Sequence, residues 1–295
     1  MTESVGAVDA LWRFPVKSMA GEPLDVVEAT EGGLVGDRAY AVIDAETGKV
    51  ASAKHPKSWP NLLQCRARFV EQPQVGDDVP PVQITLADGT AVTSDAPDAG
   101  EVMSRFFGRR VRLAASAPDD FTIDQFHPDI AGLDPEEHRN VVTETQLGSA
   151  YFAGAGLPSP VPAGAFFDLF PVSVLTTSTL DHLGALAPAT RFDVRRFRMN
   201  VIVRTEGDDF VENGWLGRNV RLGDELEIAV FLPDPRCVMT TLEQDDLPRD
   251  RDVLGTLVQQ NRLDIGGGSR FPCAGVYAVV TSPGSVQRGD KVELV

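Results

Sequence analysis

The sequence predicts an α+β protein that is mainly β. Three observations lead there. Apolar residues come in short runs, many alternating with polar ones, and turn residues separate them. Gly 27 and Pro 21 supply many chain reversals, which suit short strands better than long helices. Helical spacing is confined to a few brief stretches.

The elements follow in order. Residues 5–14 read as a strand and 24–28 as a second. Residues 39–43 form an apolar run, and 49–53 answer it across the turn Asp44-Ala45-Glu46-Thr47-Gly48, the pattern of a hairpin. Strands over 62–70 and 82–86 follow. Asp88-Gly89 is the strongest short hairpin signal in the chain, and 90–93 returns from it. Residues 99–107 carry helical spacing, with Val102, Phe106 and Phe107 placed for one face. Residues 111–114 read as a strand. Short strands around one helix close into a small barrel or pack as a sandwich.

Residues 117–167 show little pattern. Six prolines and four glycines punctuate them, so they are expected to be an irregular connection that covers one side of a site, or plain linker. Regularity resumes with a strand over 171–175, then a short helix through Leu180, Leu183 and Leu186, capped by Thr177 or Ser178. Strands are expected over 200–204 and 225–231, a helix over 253–261, and strands over 275–281 and 291–295. Two domains result, an N-terminal β-barrel-like domain over 1–116 and a second domain over 117–295.

Bulk composition excludes several classes. Apolar content of 42% and charged content of 24% are those of a globular chain. A net charge of −16 opposes general affinity for nucleic acid or an anionic membrane surface. No stretch approaches the ~20 apolar residues of a membrane span. Cys65, Cys237 and Cys273 are too few and too dispersed for a disulfide scaffold or a metal cluster. The four histidines show no metal-ligand spacing. The N-terminus has no basic segment followed by an apolar one, so a reducing cytoplasm is the expected location.

Four segments carry chemistry. Phe14-Pro15-Val16-Lys17-Ser18 leaves a strand and offers an ammonium, a hydroxyl and free N–H groups in a turn, equipment for a phosphate or simply a solvated loop. Gly36-Asp37-Arg38 precedes a strand; its arginine can grip a phosphate bidentately or pair with the aspartate. Arg195, Arg196 and Arg198 lead to Asn200, a basic cluster in an acidic chain that implies either a bound anion or a network with Asp193 and the acidic loops. Asp234-Pro235-Arg236-Cys237-Val238-Met239-Thr240-Thr241 sets one cysteine after an arginine and before a β-prone run. An arginine neighbour favours a thiolate, and one soft thiolate can anchor a metal whose other ligands come from a cofactor. The other reading of Cys237 is a small buried hydrophobe. Cys65 is expected to pack a strand and Cys273 to be structural. Glu212-Asn213-Gly214-Trp215 reads as a turn that packs an indole, and Gly266-Gly267-Gly268 as a flexible loop.

Taken in order, FPVKS, GDR, RFRMN, VENGW, PRCVMTT and VQRGDKVEL resemble two linked domains of one family. They are the N-terminal β-barrel domain and the molybdenum-cofactor sulfurase C-terminal (MOSC) domain of the mitochondrial amidoxime-reducing component family and its bacterial relatives. The resemblance runs from about residue 8 to residue 295. It implies a C-terminal β barrel with a few peripheral helices. It also implies a molybdenum enzyme that reduces N-hydroxylated compounds, with the metal held by a pyranopterin dithiolene and Cys237. By the same resemblance Lys17, Ser18 and Arg38 contact the cofactor phosphate, and Arg198, Asn200 and Arg236 also contact the cofactor. Met199 stands where relatives often carry proline, and Asp234-Pro235 replaces their usual residues before the Arg-Cys. No appended ferredoxin module follows, so electrons are expected from a separate donor protein (ferredoxin, flavodoxin or cytochrome b5-like). An alternative is a non-catalytic MOSC module that carries cofactor, or sulfur as a persulfide on Cys237.

Overall fold

The computed structural model describes residues 2–134, 136–266 and 268–295. Seven strands close a barrel: β1 (Glu3–Arg13), β2 (Val172–Thr176), β3 (Val201–Arg204), β4 (Asn219–Leu222), β5 (Leu226–Pro235), β6 (Arg270–Ser282) and β7 (Lys291–Leu294). Their order is β2-β3-β1-β7-β4-β5-β6, and β6 returns to β2. Alternate residues point inward, as period 2 requires. Val8, Val174, Val201, Val203, Val220, Ile228, Val276 and Val292 fill one buried core. Branched side chains suit this pleated, enclosed surface.

The strand from the very start of the chain, β1, sits between β3 and β7 of that barrel. Gly6 permits the close approach: a Cβ there would stand 2.1 Å from the carbonyl oxygen of Arg204. Conversely Gly284–Gln287, near the C-terminus, pairs with Val26–Thr30. A cut at residue 116 therefore does not coincide with the strand pairing, because each half lends a strand to the other.

The N-terminal region holds a three-stranded sheet (Arg66–Phe69, Val82–Thr85, Ala91–Thr93) and the pair Ala41–Asp44 with Val111–Ala114. Helix α1 (Ala99–Phe107) packs here through Met103, against Val16, Met19, Leu62 and Cys65. The Asp88-Gly89 turn closes the expected hairpin, with Leu86 N donating to Thr90 O at 2.8 Å. Four more helices follow: α2 (Ser149–Gly154), α3 (Thr177–Leu186), α4 (Val194–Phe197) and α5 (Asp252–Gln260). Among the described residues no helix is long and apolar enough to cross a membrane.

Several expectations are corrected. The strand over 24–28 breaks at Asp25 into Glu22–Leu24 and Val26–Thr30. The run at 62–70 opens with a 3-10 turn, Leu62–Gln64, before Arg66–Phe69. Residues 49–53 return beside Ile43 through one bridge, while the sheet partner of Ala41–Asp44 is Val111–Ala114. The segment 117–167 is not patternless: Thr122–His127 and Val141–Gln146 form an antiparallel ribbon. Its Val141–Gln146 strand is mostly exposed, so no apolar alternation announces it. The cap of α3 is Thr176, whose side chain accepts from Thr179 N. Within the glycine run 266–268, Gly267 lies outside the described residues.

The run after Cys237 is a 3-10 turn, Val238–Thr241, not a strand. The Thr240 hydroxyl donates to Cys237 O at 3.0 Å and the Thr241 hydroxyl to Val238 O at 2.8 Å. Threonine hydroxyls that bond backward in this way override strand propensity.

Candidate functional site

A cavity of about 380 Å³ lies where the N-terminal region meets the barrel. Lys17, Ser18, Arg38, Arg198, Asn200, Arg236 and Cys237 all line it. The local fold explains the convergence. Lys17 N donates to Tyr40 O, Arg38 N to Phe14 O, and Tyr40 N to Pro15 O, at 2.8 to 2.9 Å. The turn at 14–18 and the turn at 36–40 are thus laced side by side. Gly36, at φ 83, precedes them; a Cβ there would stand 2.6 Å from the Phe69 ring.

Ser18, Arg38 and Arg198 have φ of 64, 50 and 56. Left-handed backbone is uncommon outside glycine and costs on the order of 1 kcal/mol or more at each residue. Three such residues on one cavity wall mark a segment held in place by its surroundings.

Asp37 is the hub of that hold. Its carboxylate accepts from Phe14 N at 2.7 Å and from Asn200 Nδ2 at 2.9 Å, and it pairs with Arg38. Asn200 spends its other groups on Ser173 and Trp12: its Oδ1 accepts from Ser173 N and Oγ, and its Nδ2 donates to Trp12 O. Asn200 therefore lines the cavity with its amide fully engaged by the protein.

The basic cluster divides. Arg195 pairs with Asp193 and Asp246, each at 2.8 Å. Arg196 is buried and donates to the carbonyls of Arg191, Thr240, Leu242 and Pro248, fixing the loop that carries Cys237. Those two fit the network reading. Arg198 differs: its guanidinium donates to Met19 O, and no carboxylate among the described residues pairs with it. Burial, then the nearby Arg38, pull its pKa down to about 9. Arg38 and Arg198 both lie over the ring of Phe14, at 4.5 and 4.3 Å from its centroid.

Lys54 and Asp168 escaped sequence reasoning. Asp168 bridges two ammonium groups, pairing with Lys17 and, at 2.7 Å, with Lys54. Lys17 also donates to Phe166 O at 2.8 Å. Burial alone would raise the Asp168 pKa, but the two lysines outweigh it and hold the carboxyl well below the usual range. Burial lowers the Lys17 pKa despite Asp168. The signal was a lone carboxylate after two phenylalanines, Phe166-Phe167-Asp168, inside a stretch read as connection.

Cys237 is half-buried and is the one cysteine, among the described residues, that lines the cavity. Cys65 and Cys273 are fully buried, and burial pushes their thiols up to about 11 and about 12. Beside Cys237, Arg236 pairs with Asp234 and donates to Phe197 O at 2.6 Å, while its Nε is buried without a partner. Burial raises the Asp234 pKa to about 6 even though Arg236 opposes it. Among the described residues no group of three or more histidine, cysteine or acidic side chains could hold a metal by itself.

The cavity lining totals six cationic side chains and two carboxylates, in a chain of net −16. Such an inversion of charge suits an anionic ligand. With one thiolate, no protein-only metal cage and a cationic wall, the arrangement can hold an anionic group that brings its own metal ligands.

Comparison with known proteins agrees with this geometry. Residues 5–111 match the MOSC N-terminal beta barrel domain family and residues 164–293 match the MOSC domain family. Mitochondrial amidoxime-reducing component 1 of Homo sapiens is 23% identical over 311 aligned residues, covering 100% of this chain and 85% of that protein. Mitochondrial amidoxime reducing component 2 of Macaca fascicularis is 26% identical, covering 98% of this chain and 84% of that protein. The crystal structure of the YuaD protein from Bacillus subtilis aligns over 100% of this chain and 97% of that one, with 10% identity and a TM-score of 0.44. The chain belongs to the MOSC-domain proteins, with both the N-terminal β-barrel domain and the MOSC domain, and it resembles the mitochondrial amidoxime-reducing components.

Proposed function

We propose that this chain binds a molybdenum cofactor and reduces N-hydroxylated compounds with electrons from a separate donor protein. The observation that carries the reading is the pairing, in one cavity, of a buried arginine without a carboxylate partner (Arg198) and a half-buried thiol (Cys237).

The residues present fit the cofactor. Arg198, and the strained turns that carry Ser18 and Arg38, would hold a phosphate. The Ser18 hydroxyl accepts from Ala53 N at 3.2 Å and keeps its own proton to donate. Cys237 would supply one thiolate ligand, a soft donor suited to such a metal. Bound there, the cofactor would supply the two-electron redox chemistry, which belongs to it rather than to the protein. The overall reaction breaks the N–O bond, consumes two electrons and two protons, and leaves N–H and water.

The chain's own groups have three tasks. Arg196 ties the Cys237 loop to α4 through four backbone carbonyls, so the thiol is held in place. Asp37 and Asn200 fix Arg38 against the barrel. Asp234, buried beside Tyr277 with a pKa near neutrality, is placed to hold or release a proton within the cavity. A reducing cytoplasm would keep Cys237 out of disulfides.

The test is expression in a host that makes the cofactor, followed by molybdenum and pterin analysis and assay with a chemical reductant. Stoichiometric molybdenum with turnover of N-hydroxylated bases supports the reading. Molybdenum without turnover leaves a cofactor carrier, and a protein that never retains molybdenum excludes both.

A further inference from the structure

The wall of the cavity opposite its cations is aromatic, and it extends to the surface. Tyr277 and Phe170, both lining the cavity, stack at 5.4 Å between centroids with planes 21° apart. Phe170 meets Phe231 at 6.0 Å and Phe152 at 5.9 Å. Phe152 in turn meets Tyr151, a cavity-lining residue of α2, at 5.3 Å.

Two of these rings are unusual. Tyr151 is 47% exposed and Phe231 57%, and among the described residues they are the only large exposed aromatics. Both lie at the same rim. Phe231 is displayed there by a bulge, for the register of β5 with β6 breaks between Val230 and Leu232. Bulges of this kind re-aim side chains beside functional sites. A chain that buries its other phenylalanines and tyrosines but leaves two rings in water at one cavity mouth forgoes stabilisation there, and apolar surface of that sort marks binding.

The cations and the thiol do not account for this wall. We infer that Tyr151 and Phe170 form a shelf that seats an aryl group of the substrate, so that the compounds preferred are N-hydroxylated bases carrying a flat aromatic substituent. The inference rests on the reductase reading above and deepens it. The shelf is continuous with the cavity through Phe170 and Tyr277, so an aryl group lying on it leaves its N-hydroxylated end inside the cavity that Cys237 lines. Flat rings gain from offset or edge contacts with Phe and Tyr, and Tyr151 on a short helix at the rim can close over one side.

The experiment compares benzamidoxime with acetamidoxime on the cofactor-loaded protein. Calorimetric affinities are measured without reductant, and kcat/KM with a chemical reductant. The aryl compound should bind and turn over roughly tenfold better, the order of gain that ring burial and stacking supply. Tyr151→Ala and Phe170→Leu should each cut that preference to about threefold or less. Tyr151 is half-exposed, so its variant decides the matter even where Phe170→Leu folds poorly. Equal affinity of the wild type for the two compounds, or a preference that survives both substitutions, overturns the shelf. Tighter aryl binding that depends on Tyr151 with no reduction of either compound keeps the shelf and removes the reductase reading.

Discussion

Arg38 donates through Nη2 to the backbone carbonyl of Arg198 at 3.1 Å, across 160 positions of sequence. Both guanidinium groups also lie over the ring of Phe14. Two like charges sharing one ring and one hydrogen bond repel, and only one has a carboxylate partner, Asp37. The arrangement is costly unless an anion completes it.

The first prediction follows from that cost. Arg198→Met should leave the thermal midpoint of cofactor-free protein unchanged or raise it, because a buried cation without a carboxylate partner is removed. Wild-type protein should be stabilised by inorganic pyrophosphate, by about 2.7 kcal/mol at a hundred times its Kd, and the variant should not. Thermal denaturation with and without pyrophosphate measures both. A destabilised variant that still responds fully to the anion would count against the phosphate assignment.

Cys237→Ser replaces a soft, ionisable sulfur by a hydroxyl that stays protonated. The volume change is small and the site is half-buried, so the melting temperature should stay within a few degrees of wild type. Molybdenum content, read by elemental mass spectrometry, and N-reduction should both fall to background. Cys273→Ser, whose group can donate to Phe271 O as the thiol does at 3.2 Å, should keep most activity. Full metal content and activity in the Cys237 variant would remove the thiolate from the mechanism.

Asp168 carries a pH prediction. Its folded pKa lies well below the unfolded value of about 3.9, because Lys17 and Lys54 outweigh burial. Its stabilisation is therefore complete above that unfolded value and lost as pH falls through the folded one. Asp168→Asn strands two buried ammonium groups and should cost about 3 kcal/mol at pH 7. The gap between wild type and variant, followed by urea denaturation, should hold from pH 5 to 8, to within about a tenth, and close below about pH 4. A gap independent of pH would mean that Asp168 acts by packing rather than charge.

Electron supply gives a fourth outcome. The sequence has no iron–sulfur cysteine set and no dinucleotide fingerprint. Purified, cofactor-loaded protein should not turn over with NADH alone and should do so once a chemical reductant or a small redox protein is added. Stopped-flow oxidation of NADH by the isolated protein would contradict this.

Much of the chain could be read locally. The bounds of α1 at 99–107, the strand at 111–114 and the Asp88-Gly89 hairpin are set by side-chain period and turn chemistry within a few residues. The chemical character of Lys17, Ser18, Arg38, Arg198 and Cys237 was likewise visible, because charge, donors and a soft sulfur are properties of residue types. The 3-10 turn after Cys237 was missed for a local reason: Thr240 and Thr241 favour strands on average, and here their hydroxyls bond backward.

What only tertiary structure decided is which of these groups meet. Nothing within a few residues of Arg195, Arg196 and Arg198 says that two are tied to carboxylates or carbonyls and one faces a cavity without a carboxylate partner. The insertion of β1 between β3 and β7, which carries the Lys17 turn to the barrel, is a pairing across most of the chain. The seating of Asp168 between Lys17 and Lys54 joins segments more than a hundred residues apart. Sequence order determines side-chain chemistry and short-range backbone preference, whereas charge pairing and desolvation depend on distances that exist only once the barrel has closed.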